Sequence, residues 1–202
     1  MLVGETIYML HLSMIYLLGT RHTIQTESKE SGPKLSAKYE RFKKYVADAA
    51  CSNTVAAIAE ETNYELEEQH GRKSIARLVA ESMDPPLQYL PCELNRDERR
   101  ALGILTGDEV VHSISQGVSV EAWTQHRDAE LLKYFPIREK FWIENLRRLS
   151  VQQVLFVCGP DHMRTFSCRL IENSIPCQII CFDWWALDDE QHGVLPFGET
   201  PL

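Results

Sequence analysis

The chain has 202 residues, 44% of them hydrophobic and 25% charged. That suits one α/β domain, 1–202, able to bury a core without staples. A net charge of −8 argues against sequence-independent binding to nucleic acid or to an anionic membrane.

The six cysteines, at 51, 92, 158, 168, 177 and 181, form no Cys-x-x-Cys pair. They read as reduced core thiols of a cytoplasmic protein rather than a disulfide framework or a zinc site. Residues 1–18 are apolar, but no Lys or Arg precedes the apolar stretch, and Glu5 and His11 interrupt it. It is not expected to be a signal peptide or a membrane span, and residues 1–12 are expected to form an extra segment or edge strand.

Met14–Leu18 reads as the first core strand and runs into Gly19-Thr-Arg-His22. Thr23–Lys34 reads as a loop broken at Gly32-Pro33. Ser36 is expected to cap a helix reaching about Ala50, with Leu35, Tyr39, Phe42, Val46 and Ala49 as its packed stripe. Thr54–Ala59 is a second short buried strand, closed by Glu60-Glu61. Those two carboxylates are either a solvated turn, in keeping with the acidic run Glu65–Glu68, or groups of a site.

A helix over Gly71–Met83 is expected to turn Ile75, Leu78 and Val79 inward and to stop at Pro85-Pro86. Leu87–Cys92 makes a weak third strand, in which Pro91 marks an edge or the end. Glu93 closes it, and Asn95 caps a helix over Arg96–Leu102, stopped by Gly103. Residues 105–135, with His112, Trp123 and His126, read as short helical stretches, either as solvated packing or as a lid, insertion or interaction surface.

Arg138–Leu149 is a helix with Trp142, Leu146 and Leu149 on one face. Val154–Cys158 has no polar alternation and reads as a strand buried on both faces, in the middle of a parallel sheet. It runs into Gly159-Pro-Asp-His162, with the histidine in the first turn of a helix that packs Met163, Phe166 and Leu170. Cys177–Phe182 is expected to be a final buried strand. From Asp183 on, with Trp184 and Trp185, an irregular tail is expected to cover the sheet.

Strand and helix thus alternate about four times. This order calls for a mostly parallel central sheet with right-handed crossovers and helices on both faces. No Gly-x-Gly-x-x-Gly fingerprint, P-loop or Gly-x-Ser-x-Gly elbow is present, which weighs against nucleotide sites and a serine hydrolase.

Two of the strands end in Gly-x-x-His, at Gly19/His22 and Gly159/His162. With 10 Gly and 7 His in the chain, chance supplies only about a third of one such pair. The plainer reading is that both histidines cap turns. If the strands are parallel, their carboxyl ends share one rim, holding His22, Glu60 or Glu61, Glu93 and His162. Two imidazoles with one or two carboxylates are the ligand set of a catalytic divalent-metal site. Arg21 or Arg138 is then expected to stabilise an oxyanion or hold a substrate carboxylate.

Tyr16-Leu-Leu-Gly-Thr-Arg-His22 and Phe156-Val-Cys-Gly-Pro-Asp-His162 resemble the paired Gly-x-x-His motifs of the TraB/Tiki superfamily. That superfamily is related to erythromycin esterases and to haem-binding lipoproteins of the ChaN type. The resemblance spans about residues 14–182 and rests on roughly a dozen positions. It implies an α/β fold, a glutamate after the second strand (Glu60 or Glu61), and a helical arginine, Arg138. In the Tiki branch it implies metal-dependent peptide cleavage. Residues 105–135 have no counterpart in it, and nothing marks secretion or a membrane anchor.

The expectation is therefore a metal-dependent hydrolase of a peptide, ester or amide bond, acting on a small-molecule or peptide substrate. The alternatives are a non-catalytic module that binds haem or a small anion, and a regulatory interaction protein.

Overall fold

The computed structural model describes residues 14–25, 33–65, 68, 71–104 and 120–192. The expected N-terminal segment 1–12 and the stretch 105–119, with His112, lie outside the described residues, as do the side chains of Trp123 and His126. Five strands form one all-parallel sheet in the order β3-β2-β4-β1-β5. They are β1 (Met14–Gly19), β2 (Ala57–Glu60), β3 (Gln88–Pro91), β4 (Gln153–Cys158) and β5 (Cys177–Cys181). The helices between them are α1 (His22–Gln25), α2 (Pro33–Ser52), α3 (Ile75–Ser82), α4 (Arg96–Ala101), α5 (Val120–Leu132), α6 (Phe135–Leu146), α7 (Met163–Glu172) and α8 (Trp184–His192). Among the described residues, no helix is long and apolar enough to cross a membrane.

Alternation along the strands builds two separate cores. Ile15, Leu17, Val154, Phe156 and Cys158 pack with Trp142, Phe166 and Leu170 of α6 and α7. Leu18, Ile58, Leu155 and Val157 pack with Phe42 and Val46 of α2, Val79 of α3 and Trp184 of α8. The central strand β4 is therefore apolar throughout because both of its faces are covered.

Several boundaries differ from the sequence reading, each for a physical reason. The helix expected from Ser36 begins at Pro33 instead, since a proline fits the first helical turn where its missing N–H costs nothing. Residues 23–25, assigned to a loop, belong to the short α1, and 26–32 of that loop lie outside the described residues. Helix α3 starts after Ser74, whose side chain accepts from the Arg77 N–H. It buries Ile75, Ala76, Val79 and Ala80 and leaves Leu78 37% exposed. Leu78 lies more than a third of a turn from the centre of that stripe, so the small alanines pack in its stead. Asn95 caps α4 as expected, with a reciprocal bond to Glu98.

Strand β5 is not a buried strand. Among the described residues it pairs only with β1, and Gln178 and Ile179 are exposed, because the fifth strand falls at the edge of the sheet. Of the expected irregular tail, 193–202 lies outside the described residues, and Trp184–His192 is helix α8. It is seated on α2 by the Lys38 ammonium, which meets Asp188 and Asp189, and by two hydrogen bonds from the Arg41 guanidinium to Asp188 at 2.7 Å. The Trp185 ring lies beneath Lys38, 3.7 Å from its centroid. Three of the six cysteines are buried, Cys51 and Cys168 are exposed, and all are free thiols.

Pairing register positions the site. Gly19 stands opposite Cys158, and Glu60 stands opposite Val157. Strands β1, β2 and β4 therefore stop at the same height, and the residues that follow them meet at one rim. Gly19 has no room for a side chain, since an added Cβ would lie 1.9 Å from the carbonyl oxygen of Phe182.

Candidate functional site

The residues just past those strand ends form a connected polar cluster. Glu61 follows β2, and its N–H extends the ladder to the Val157 carbonyl at 2.9 Å. Its side chain turns into the rim, where Oε2 accepts from the Gly159 N–H at 2.7 Å. Its other oxygen, Oε1, has His22 Nε2 at 3.6 Å and His162 Nε2 at 3.5 Å. Burial alone pushes this carboxyl up. His22, Arg138 and His162, together with the Gly159 N–H, outweigh burial and hold it well below the usual carboxylate range.

Arg138 comes from the first turn of α6 and lies at the centre of the cluster. It donates to Glu61, to Glu93 through Nε at 3.0 Å and again through Nη2, and to His162 Nε2 through Nη1 at 3.0 Å. Burial works against its charge, but Glu61 and Glu93 more than compensate and raise its pKa above the ordinary value. Both oxygens of Glu93 are engaged. Oε1 accepts from the Leu94 N–H at 2.9 Å with Arg99 at 3.2 Å, and Oε2 accepts from Arg138.

His162 ends the 3₁₀ turn Pro160–His162 that follows β4. Its ring is buried against Phe135, with centroids 3.7 Å apart, and meets the Trp142 ring edge-on at 4.7 Å. His22 opens α1, and its side chain is 62% exposed, so it is the solvent-facing member of the group. Its Nδ1 pairs with Gln25 Oε1 at 2.9 Å. Cys158, at the end of β4, is no nucleophile here. Burial, then the charges of Glu61 and Glu139, push its thiol well above the ordinary range.

Of the residues singled out from sequence, His22, Glu61, Glu93, Arg138 and His162 come together. Glu60 does not join them. One position earlier on the strand it points to the other side, where it accepts from Ser74 at 2.5 Å and Tyr89 at 2.8 Å. Arg21 lies against the Trp185 ring, 5.2 Å from its centroid.

Four partners escaped the sequence reading: Gln25, Glu139, Thr165 and Arg169. Glu139 carried a signal. Phe135, Glu139, Trp142, Ile143 and Leu146 are the buried stripe of α6, and a carboxylate on an apolar stripe needs a partner.

By type, two imidazoles and a carboxylate are donors that divalent ions take. Ligands bound tetrahedrally at about 2.0–2.1 Å lie about 3.3–3.4 Å from one another, and the two imidazole–carboxylate spacings come close to that. Each imidazole also has its Nδ1 engaged by an oxygen, the support that metal-bound histidines receive. In this arrangement, however, the Arg138 guanidinium occupies the cationic position. Among the described residues no group of three or more His, Cys, Asp or Glu side chains is disposed to hold an ion directly. An ion there would require Arg138 to release both Glu61 and His162 Nε2, and its two bonds to Glu93 would still anchor it. No family model and no curated protein matches this sequence, and no solved structure matches its fold.

Proposed function

We propose that this protein is a metal-dependent hydrolase of a peptide, ester or amide bond, with His22, His162 and Glu61 as the metal-holding residues. Kinship with the TraB/Tiki superfamily belongs to the same proposal. One observation carries it: two imidazoles 140 positions apart lie 3.6 and 3.5 Å from the same carboxylate oxygen.

When bound, the ion supplies Lewis acidity toward the substrate carbonyl and its nucleophile. The chain supplies the rest. Glu61 stays ionised under the influence of its cationic neighbours. His162 is walled in by Phe135 and Trp142, which exclude water from its ring. Glu93 holds Arg138 by two bonds, and the N–H groups that Arg138 would withdraw from Glu61 and His162 on metal binding are the ones that would face the oxyanion as the carbonyl is attacked. The exposed edge of His22 gives a small-molecule or peptide substrate its approach. A cytoplasmic location belongs to the same proposal, since six cysteines with no Cys-x-x-Cys pair suit a reducing compartment.

The test is the metal content of purified protein after loading with Zn²⁺ and dialysis, alongside turnover of chromogenic esters, anilides and short peptides. Wild type is expected to retain about one ion per chain and to hydrolyse at least one substrate class. His22→Ala and His162→Ala are expected to lose both. Equal metal in wild type and both variants, or none in wild type, overturns the proposal.

A further inference from the structure

The two histidines are held by chemically different partners. At His162 both ring nitrogens face groups with fixed roles. Nδ1 is 3.0 Å from Glu139 Oε1, and Nε2 is 3.0 Å from Arg138 Nη1. A guanidinium only donates, so Nε2 must accept. A carboxylate paired with a guanidinium only accepts, so Nδ1 must carry the proton. Glu139 is completely buried and is itself held on both oxygens. Arg169 Nε donates to Oε2 at 3.0 Å, and the Thr165 hydroxyl donates to Oε1.

At His22 neither condition applies. Its Nδ1 faces the amide of Gln25, a group that can offer its oxygen or, turned over, its NH₂. Gln25 Nε2 is buried and has no partner among the described residues, so no second contact fixes the amide's orientation. His22 Nε2 lies 3.6 Å from the Glu61 oxygen, beyond hydrogen-bond reach.

We infer that Glu139 is a positioning residue that locks His162 in the Nδ1–H tautomer with its Nε2 lone pair directed into the rim, while Gln25 leaves His22 free to adopt either tautomer. The tautomers themselves stand apart from the hydrolase reading. Their consequence rests on it: His162 is the permanent ligand, and His22 is the one that yields.

The experiment is two-bond ¹H–¹⁵N correlation spectroscopy of histidine-labelled, metal-free protein at mildly alkaline pH, with the resonances assigned from His22→Ala and His162→Ala. Wild type is expected to show His162 as Nδ1–H alone and His22 as a mixture. In Glu139→Gln the amide has a single oxygen, which Arg169 claims, so its NH₂ turns toward Nδ1. The Nε2–H form of His162 then appears, and Zn²⁺ binding weakens about 10–100-fold. A mixed His162 or a single-tautomer His22 in wild type overturns the inference whether or not the variant folds. So does Glu139→Gln with His162 still purely Nδ1–H, since Arg138 would then set the tautomer unaided. Zn²⁺ titration of the same samples separates the two proposals. A locked His162 whose resonances ignore Zn²⁺ upholds the positioning role and removes the metal reading, and a mixed His162 that binds Zn²⁺ does the reverse.

Discussion

The rim cluster and the seam between α2 and α8 both bury carboxylates against cations, yet only the rim keeps chemistry in reserve. At the seam, Asp188 is met by Arg41 and Lys38, and Asp189 is met by Lys38, which also reaches the Trp185 carbonyl at 3.4 Å. Those contacts join two helices and end there. At the rim, Glu61, Glu93 and Arg138 share their bonds with two imidazoles, and one of these faces solvent. Buried charge by itself therefore does not mark a site. Polar atoms left with capacity to engage a further group do.

The largest effect that would sharpen this contrast is expected from Arg138→Ala. Removing the guanidinium strands Glu61 and Glu93 in the interior, at a cost of about 3–5 kcal/mol. Urea unfolding followed by circular dichroism reads the loss, and a change under 1 kcal/mol would mean that water solvates the rim far better than its burial indicates.

Asp188→Ala comes next, at about 1.5–3 kcal/mol, because it takes both bonds from the part-exposed Arg41 while Lys38 keeps Asp189. Here the contrast is in function, since Zn²⁺ retention is expected to stay at the wild-type level. Metal loss in this variant would break the comparison by showing that the seam and the rim act as one unit.

Acid is expected to act on the seam as well. Burial raises the Asp188 pKa, but the hydrogen bond from Arg41 and the charges of Arg41, Lys38 and His192 outweigh it and hold it below the ordinary 3.8. The folded state then binds fewer protons at this group than the unfolded chain does. Its stabilisation is complete above about pH 4 and is lost as pH falls through the folded value. Unfolding free energies of wild type and Asp188→Asn are expected to converge as the pH drops below 4, and a constant gap would rule the seam out as the acid-sensitive element.

The smallest change in stability is expected from His22→Ala. Its side chain is mostly exposed, so the cost should stay within about 0.5 kcal/mol, while bound metal and hydrolysis disappear. A variant that unfolds instead would make His22 a structural cap on β1.

The sequence carried the layered α/β fold because its cues are local. An apolar run with no alternation, such as Val154–Cys158, needs cover on both faces, and Pro, Gly and capping residues punctuate the helices between such runs. Paired Gly-x-x-His motifs pointed to the rim for the same reason, since each sits at the end of its own strand. What those cues could not rank was Glu60 against Glu61. Neighbouring residues on a strand point to opposite faces, and only the pairing of β2 with β4 decides which face meets the histidines.

Edge position is likewise invisible locally. Cys177–Cys181 is as apolar as a central strand, and only the order of the sheet leaves it with a single neighbour. Glu139 lay in plain view on an apolar helical stripe, but its partners His162, Thr165 and Arg169 arrive from the 3₁₀ turn and helix after β4, more than twenty residues away. Strand ends and helix stripes are thus properties of a short stretch of chain. Which of them meet is decided by tertiary packing, because buried charges accept only the arrangement in which each finds its partner.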